Sequence, residues 1–183
     1  VKIITPAKGR VEPVCAHFGD CGGCQLQAMK YKAQLAFKAK TLQQTLARVG
    51  GFPDIDIKPI VPSEDELYYR NKAQFPFAKT SKGVELGFYQ PDSHDVVDLK
   101  ECHLHPEAFM TIALAVKKFV QKNNISVYDE AKHRGVLRHL VIRRSEYMNE
   151  VLVGFVINGD TLPEEEAFVK LLTDLKIRKF KVT

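Results

Sequence analysis

The chain has 183 residues, 45% of them apolar and 27% charged, with a formal net charge of +5. That length and apolar fraction fit one ordinary globular domain and exclude a disordered tail. No stretch approaches the roughly 20 apolar residues of a membrane span, and the start lacks the basic and apolar regions of a secretory signal, so a soluble cytoplasmic protein is expected.

Residues 1–14 alternate short apolar runs with Pro6, Gly9 and Pro13 and read as a strand end and linker. Over 25–49, Leu26, Met29, Ala33, Phe37, Leu42, Leu46 and Val49 recur at helical spacing until Gly50 and Gly51 stop the pattern, which predicts a helix. Pro59 and Pro62 mark a loop. Three strands of an antiparallel meander are expected over 68–78, 84–89 and 96–99. A helix follows from His105 and Pro106 to about Lys122, ended by Asn123 and Asn124. Strands over 137–143 and 151–157, a helix over 163–175 and a last strand over 178–183 complete the order. This succession predicts an α+β fold, an antiparallel or mixed sheet with helices packed on one face and a cysteine-rich, cluster-binding segment at the N-terminus. The last strand stops without a closing loop and the chain opens without methionine, so it reads as an internal fragment of a longer protein.

Charge is segregated along the chain. From Gln25 to Pro53 there is no acidic residue, while Lys30, Lys32, Lys38, Lys40 and Arg48 are basic. A second acid-free run, 132–144, carries Lys132, Arg134, Arg138, Arg143 and Arg144 interleaved with His133 and His139. Such runs make either a positive face for a polyanion such as nucleic acid or simply a solvated charged surface.

Three of the four cysteines, Cys15, Cys21 and Cys24, form a CxxxxxCxxC pattern, and Cys102 lies far downstream in "DLKECHLHP". In a reducing compartment, cysteines in a chain this long point to metal binding, redox chemistry or burial rather than a disulfide framework. Four thiolates complete either a tetrahedral zinc site or a [4Fe-4S] cluster. Zinc ribbons usually supply two CxxC knuckles. One such pair, with a lone cysteine before it and a remote one after it, favours the cluster and leaves zinc, a redox pair and plain burial as alternatives. A thioredoxin-like reading of "CGGC" is weakened by "AHFGD" upstream, which is no apolar strand. His17, His103 and His105 lie near the cysteines and are expected to be hydrogen-bonding neighbours rather than ligands.

"CAHFGDCGGCQLQAMKYKAQLAFK", "YYRNKAQFPF" and "GVLRHLVIRRS" together resemble the central region of the S-adenosylmethionine-dependent RNA uracil-5-methyltransferases, in the same order and over nearly the entire chain. Several members of that family carry a [4Fe-4S] cluster on such a cysteine triplet plus a distant fourth cysteine. The resemblance implies Cys15, Cys21, Cys24 and Cys102 as ligands, and a sample exposed to oxygen is expected to lose the cluster or hold zinc. It further implies that residues 1–14 end an upstream RNA-binding β-barrel, that 15–183 form the central iron–sulfur and RNA-recognition domain, and that the methyltransferase domain lies outside the chain.

Methylation of uracil carbon 5 needs a cysteine thiolate at carbon 6 and a base for the carbon 5 proton. The resemblance places both, with the S-adenosylmethionine pocket, in the following domain. No glycine-rich strand-to-helix turn for a nucleotide cofactor occurs here, so the chain alone is expected to be inactive and to hold no catalytic or S-adenosylmethionine-binding residue. Its expected partner is RNA, ribosomal RNA ahead of transfer RNA, with no membrane and no second copy. Arg70, Asn71 and Lys72 follow Tyr68 and Tyr69 on a predicted strand and combine phosphate-binding cations, an amide and stacking faces. In the second basic run Arg138, His139, Arg143 and Arg144 are the candidates. Alternation puts Arg138, Leu140 and Ile142 on one face and His139, Val141 and Arg143 on the other. A free-standing zinc or thiol redox module with a basic face is the alternative reading.

Overall fold

The computed structural model describes residues 3–177 and 180–182. The chain divides into two compact units: one takes the residues up to Val14 with Cys24–Glu66, the other Cys15–Gly23 with Leu67 onward.

The first unit is built on helix α1 (Tyr31–Arg48). It begins six residues later than the apolar spacing predicts, because residues 28–30 pair with a strand-like partner instead. Val11 N–H donates to Ala28 O, Lys30 N–H donates to Gly9 O, and Arg10 bridges Met29. Ala28 O, taken by Val11 N–H, does not serve as the acceptor of an i+4 helical bond, and the first turn, whose N–H groups need no intrahelical partner, opens only after Lys30. At the other end Gly51 takes a left-handed φ of +74°, and Phe52 N–H reaches back to Leu46 O, which closes the helix where the two glycines place its end.

Among the described residues, the second unit carries a six-stranded mixed sheet in the order β3-β2-β1-β4-β5-β6. Its strands are β1 (Lys72–Thr80), β2 (Gly83–Tyr89), β3 (Val96–Asp98), β4 (Leu137–Ser145), β5 (Glu150–Ile157) and β6 (Lys181–Val182), and β6 alone pairs in parallel, with β5. The predicted meander is present as β1-β2-β3. Helices α2 (Glu107–Lys122) and α3 (Glu165–Asp174) cover one face of the sheet. On α2, Phe109, Ile112, Ala113, Val116 and Val120 recur at helical spacing and are all buried. They meet Ala73, Phe75 and Phe77 of β1, Leu140 and Ile142 of β4 and Val151 of β5 in one core. Phe168 of α3 joins Phe119 at 4.4 Å and Phe155 at 4.7 Å between ring centroids. The α+β expectation holds, and the placement of helices on one face holds for α2 and α3, since α1 belongs to the other unit. No helix among the described residues is long and apolar enough to cross a membrane.

Three expectations change. The strand predicted over 68–78 starts at Lys72. Tyr68 adopts a left-handed φ of 58° and gives its N–H to His103 O, and Arg70 N–H goes to Leu104 O, so this stretch follows the 103–104 segment before the sheet begins. The last strand is seen only as Lys181–Val182, and the remaining positions of its predicted span, 178, 179 and 183, lie outside the described residues. Arg138 does not share the face of Leu140 and Ile142. Pairing of β4 with β5 slips one residue between Leu137 and His139, so Arg138 is bulged out while Leu137 stays fully buried. Pairing of β4 with β1 ends at the same place, opposite Pro76, which has no N–H to give.

The loop leading into β4 depends on Gly135. Its φ is +107°, and a Cβ there would lie 2.1 Å from Val127 O. Gly135→Ala is expected to lower stability by about 1–3 kcal/mol in urea denaturation, since the backbone conformation and the close approach both exclude a side chain. An unchanged midpoint would mean that the loop rearranges without cost.

Candidate functional site

Residues 15–23 are held against the segment that carries Cys102. Ala16 N–H donates to Glu101 Oε1 at 2.7 Å, and Lys100 N–H donates to His17 Nε2 at 3.1 Å. These two bonds set Cys15, one residue before Ala16, beside the chain that leads directly into Cys102. The bond from Ala16 is the chief reason that the Glu101 carboxyl titrates below its ordinary range. Further along, Gly22 N–H donates to Tyr89 O. Cys21 and Cys102 both pack against the core, and Gly23 N–H points to Cys21 Sγ at 3.4 Å.

Cys102 Sγ lies 3.2 Å from His105 Nδ1, and His105 Nε2 donates to Lys72 O at 3.0 Å. The imidazole is 1% exposed. It stacks on Phe88 and Phe109 and meets Phe75 edge-on. Burial pushes its pKa down to about 4, against a bond to Lys72 that works the other way. The other two histidines near the cysteines are also engaged: His17 accepts from Lys100, and His103 Nδ1 bonds Tyr68 Oη at 2.8 Å.

Cys24 belongs to the first unit, where Gln27 Nε2 donates to its sulfur at 3.2 Å. All four cysteines are of intermediate exposure. Among the described residues no group of three or more His, Cys, Asp or Glu side chains stands ready to hold a metal ion. Within the second unit, the backbone clip of 15–23 to 100–101 joins two distant parts of the sequence that carry cysteines.

The candidate cations fall into three environments. Lys72 and Arg143, both exposed, are direct register partners across β1 and β4, on the sheet face opposite the helices. Like charges placed opposite one another repel, so the pair is destabilising until an anion lies over it. Arg70 and Asn71 sit just before β1; both are exposed, and Asn71 O accepts from Arg144 N–H. Arg144 itself is committed inside the protein: its side chain is 14% exposed, bonds Glu146 at 3.0 Å and lies over the Phe180 ring. It is not disposed with the other cations.

Arg138 and His139 open onto a cavity of about 500 Å³ that also touches Tyr89, His94, Tyr128 and Glu130. The Arg138 guanidinium lies 4.6 Å from the centroid of Tyr128. His94 stacks on Tyr89 and pairs with Glu130 Oε2 at 3.0 Å. That bond is the main cause of the lowered Glu130 pKa, while burial first, then Glu130, raises that of Tyr89. Burial and then Arg138 lower that of His139, whose Nδ1 is buried with no hydrogen-bond partner among the described residues. Tyr89, His94, Tyr128 and Glu130 are missed by sequence reading, because they come from two stretches distant from each other, 89–94 and 128–130, and only the fold assembles them.

No protein-family model matches the chain. A protein of Clostridium tetani named as an uncharacterized RNA methyltransferase is 39% identical over 174 residues, covering 95% of this chain and 38% of its own length. One of the same description from Halalkalibacterium halodurans is 37% identical over 170 residues, covering 93% of this chain and 37% of its own. Among solved structures, the tRNA (uracil-54, C5)-methyltransferase of Pyrococcus abyssi, in complex with S-adenosyl-L-homocysteine, superposes with a TM-score of 0.69 at 28% identity over 91% of this chain and 37% of that one. The resemblance to RNA methyltransferases is thus borne out, and the chain spans a little over a third of the length of these relatives.

Proposed function

We propose that this chain, similar along 93–95% of its length to proteins named as RNA methyltransferases, is the RNA-recognition and cluster-bearing region of an enzyme that transfers a methyl group from S-adenosylmethionine to carbon 5 of a uridine. The observation that carries the RNA-binding part is the exposed Lys72–Arg143 pair, two cations in register on a sheet face that no helix of the second unit covers. Similarity along 93–95% of the chain favours this reading over a free-standing zinc or redox module. That the structural neighbour is named as a tRNA methyltransferase supports keeping transfer RNA beside ribosomal RNA as a candidate substrate.

Cys15, Cys21, Cys24 and Cys102 would hold a [4Fe-4S] cluster, which supplies a structural clip and no electron to the methyl transfer. With all four thiols so assigned, the nucleophile, the base and the S-adenosylmethionine site belong to the rest of the enzyme, and this chain is inactive alone. Arg70 and Asn71, exposed beside Lys72, extend the phosphate-binding edge, and Arg138 and His139 continue the surface along β4.

Salt titration of binding to a labelled single-stranded RNA tests the reading. Each neutralised phosphate on a single strand contributes about 0.7 to the slope of log affinity against log salt. Lys72→Ala with Arg143→Ala should therefore flatten the slope by about 1.4. An unchanged slope would move the recognition surface away from this face.

A further inference from the structure

We propose that the cavity flanked by β1, β2, β4 and the loop before β4 receives one unpaired guanine base of the bound RNA, stacked on His94 and read by Glu130 and Arg138. The inference rests on the RNA-recognition reading and adds a base-specific site to it.

The cavity's volume of about 500 Å³ suits a single base or nucleoside rather than a helix or a strand. Its stacking surface is already half assembled. Tyr89 covers one side of the His94 ring at 5.3 Å between centroids, while the His94 side chain is 79% exposed, so a base can continue the stack on the open face. Glu130 holds that ring in place through one oxygen. Among the described residues its second oxygen accepts no bond, and a carboxylate can only accept.

Guanine offers a ring N–H and an adjacent amino group as two parallel donors to a carboxylate, and its O6 and N7 accept from an arginine. Arg138 supplies that donor, its guanidinium over the Tyr128 ring. Uracil presents a single N–H and cannot match the pair. The buried Nδ1 of His139 adds the unmet requirement of a polar partner, which a base edge in this cavity would meet.

The sheet connects this site to the phosphate-binding pair. Register places His139 opposite Pro76 and Arg143 opposite Lys72 on one face of the sheet, four residues apart on β4. At about 3.3 Å per residue the two positions are roughly 13 Å apart, within reach of one short stretch of unpaired RNA. Leu152 and Val156 of β5 are the partners of Arg143 and His139 and are exposed on the same face, where they offer apolar surface to the intervening nucleotides.

Binding of two labelled oligonucleotides tests the assignment: a short uridine run, and the same run with one central guanosine. The guanosine oligonucleotide is expected to bind about tenfold more tightly. Glu130→Gln should abolish most of that preference and leave the salt slope intact, and His94→Ala should weaken the guanosine complex about fivefold or more. Both side chains are largely exposed, so neither change threatens the fold. Equal binding of the two oligonucleotides with a normal salt slope overturns the guanine site and leaves RNA recognition standing, as would an adenosine insert that binds as tightly as guanosine. Absence of salt-dependent binding to either would overturn both readings.

Discussion

Cys102→Ser is expected to remove the iron and acid-labile sulfide from anaerobically reconstituted protein and to lower its stability by on the order of 4 kcal/mol, the entropy of closing a loop of this length. The estimate follows from where the segment docks. Ala16 and Glu101 are 85 positions apart and joined by one hydrogen bond at an exposed site. A covalent centre spanning Cys15, Cys21 and Cys102 would bind the folded arrangement and not the unfolded chain, so its affinity becomes folding free energy. Serine keeps the size and loses the thiolate. The decisive readings are iron and sulfide content, the visible charge-transfer absorbance and the urea midpoint, each with and without reconstitution. Without the cluster, Cys102→Ser should cost little, because the sulfur's packing is nearly conserved. Full iron content in the variant would show that the fourth ligand is another residue.

How far the chain could be read before folding depends on the range of the interactions involved. Elements fixed by local period were legible: α2 carries its apolar stripe in the sequence, and the β1-β2 hairpin is announced by Ser81 to Gly83 between alternating runs. Elements decided by a distant partner were not. The apolar spacing from Leu26 is helical, yet residues 28–30 pair with Gly9 and Val11, and a ladder twenty residues away outweighs local propensity. Arg138 follows the alternation rule until the register slip beside Pro76 turns it out of the core face and over Tyr128. The same limit governs the sites. Arg143 and Lys72 were each visible as cations, but their adjacency is a property of the β1-β4 register. Arg144 looked equivalent to Arg143 and is not, since Glu146 and Phe180 occupy it. The acid-free run that singled out Arg138 and His139 begins just after Asp129 and Glu130, so charge patterning hid the carboxylate that completes their cavity.

Substitutions at His105 separate its three roles. The ring fills a slot between Phe88 and Phe109, so His105→Ala is expected to cost about 3–5 kcal/mol, as for other large-to-small changes in a packed core. His105→Phe keeps an aromatic ring in the slot but leaves Lys72 O without its donor, at a cost of about 1–3 kcal/mol near neutral pH. Acid should reverse part of that difference in metal-free protein. The folded pKa of about 4 lies below the ordinary 6.5, chiefly because burial disfavours the charged ring, so the unfolded chain takes up the proton first. Stability linked to this group is therefore fully present above about pH 6.5 and lost as the pH falls to about 4, a change of about 3 kcal/mol. Phenylalanine cannot titrate, so the wild-type and His105→Phe curves should converge or cross between these limits, while His105→Ala stays lower throughout the neutral range. Urea midpoints at a series of pH values give the comparison directly. Parallel curves for wild type and His105→Phe would mean that the imidazole is protonated equally in folded and unfolded chains, and that its link from Cys102 to the start of β1 is held by packing alone.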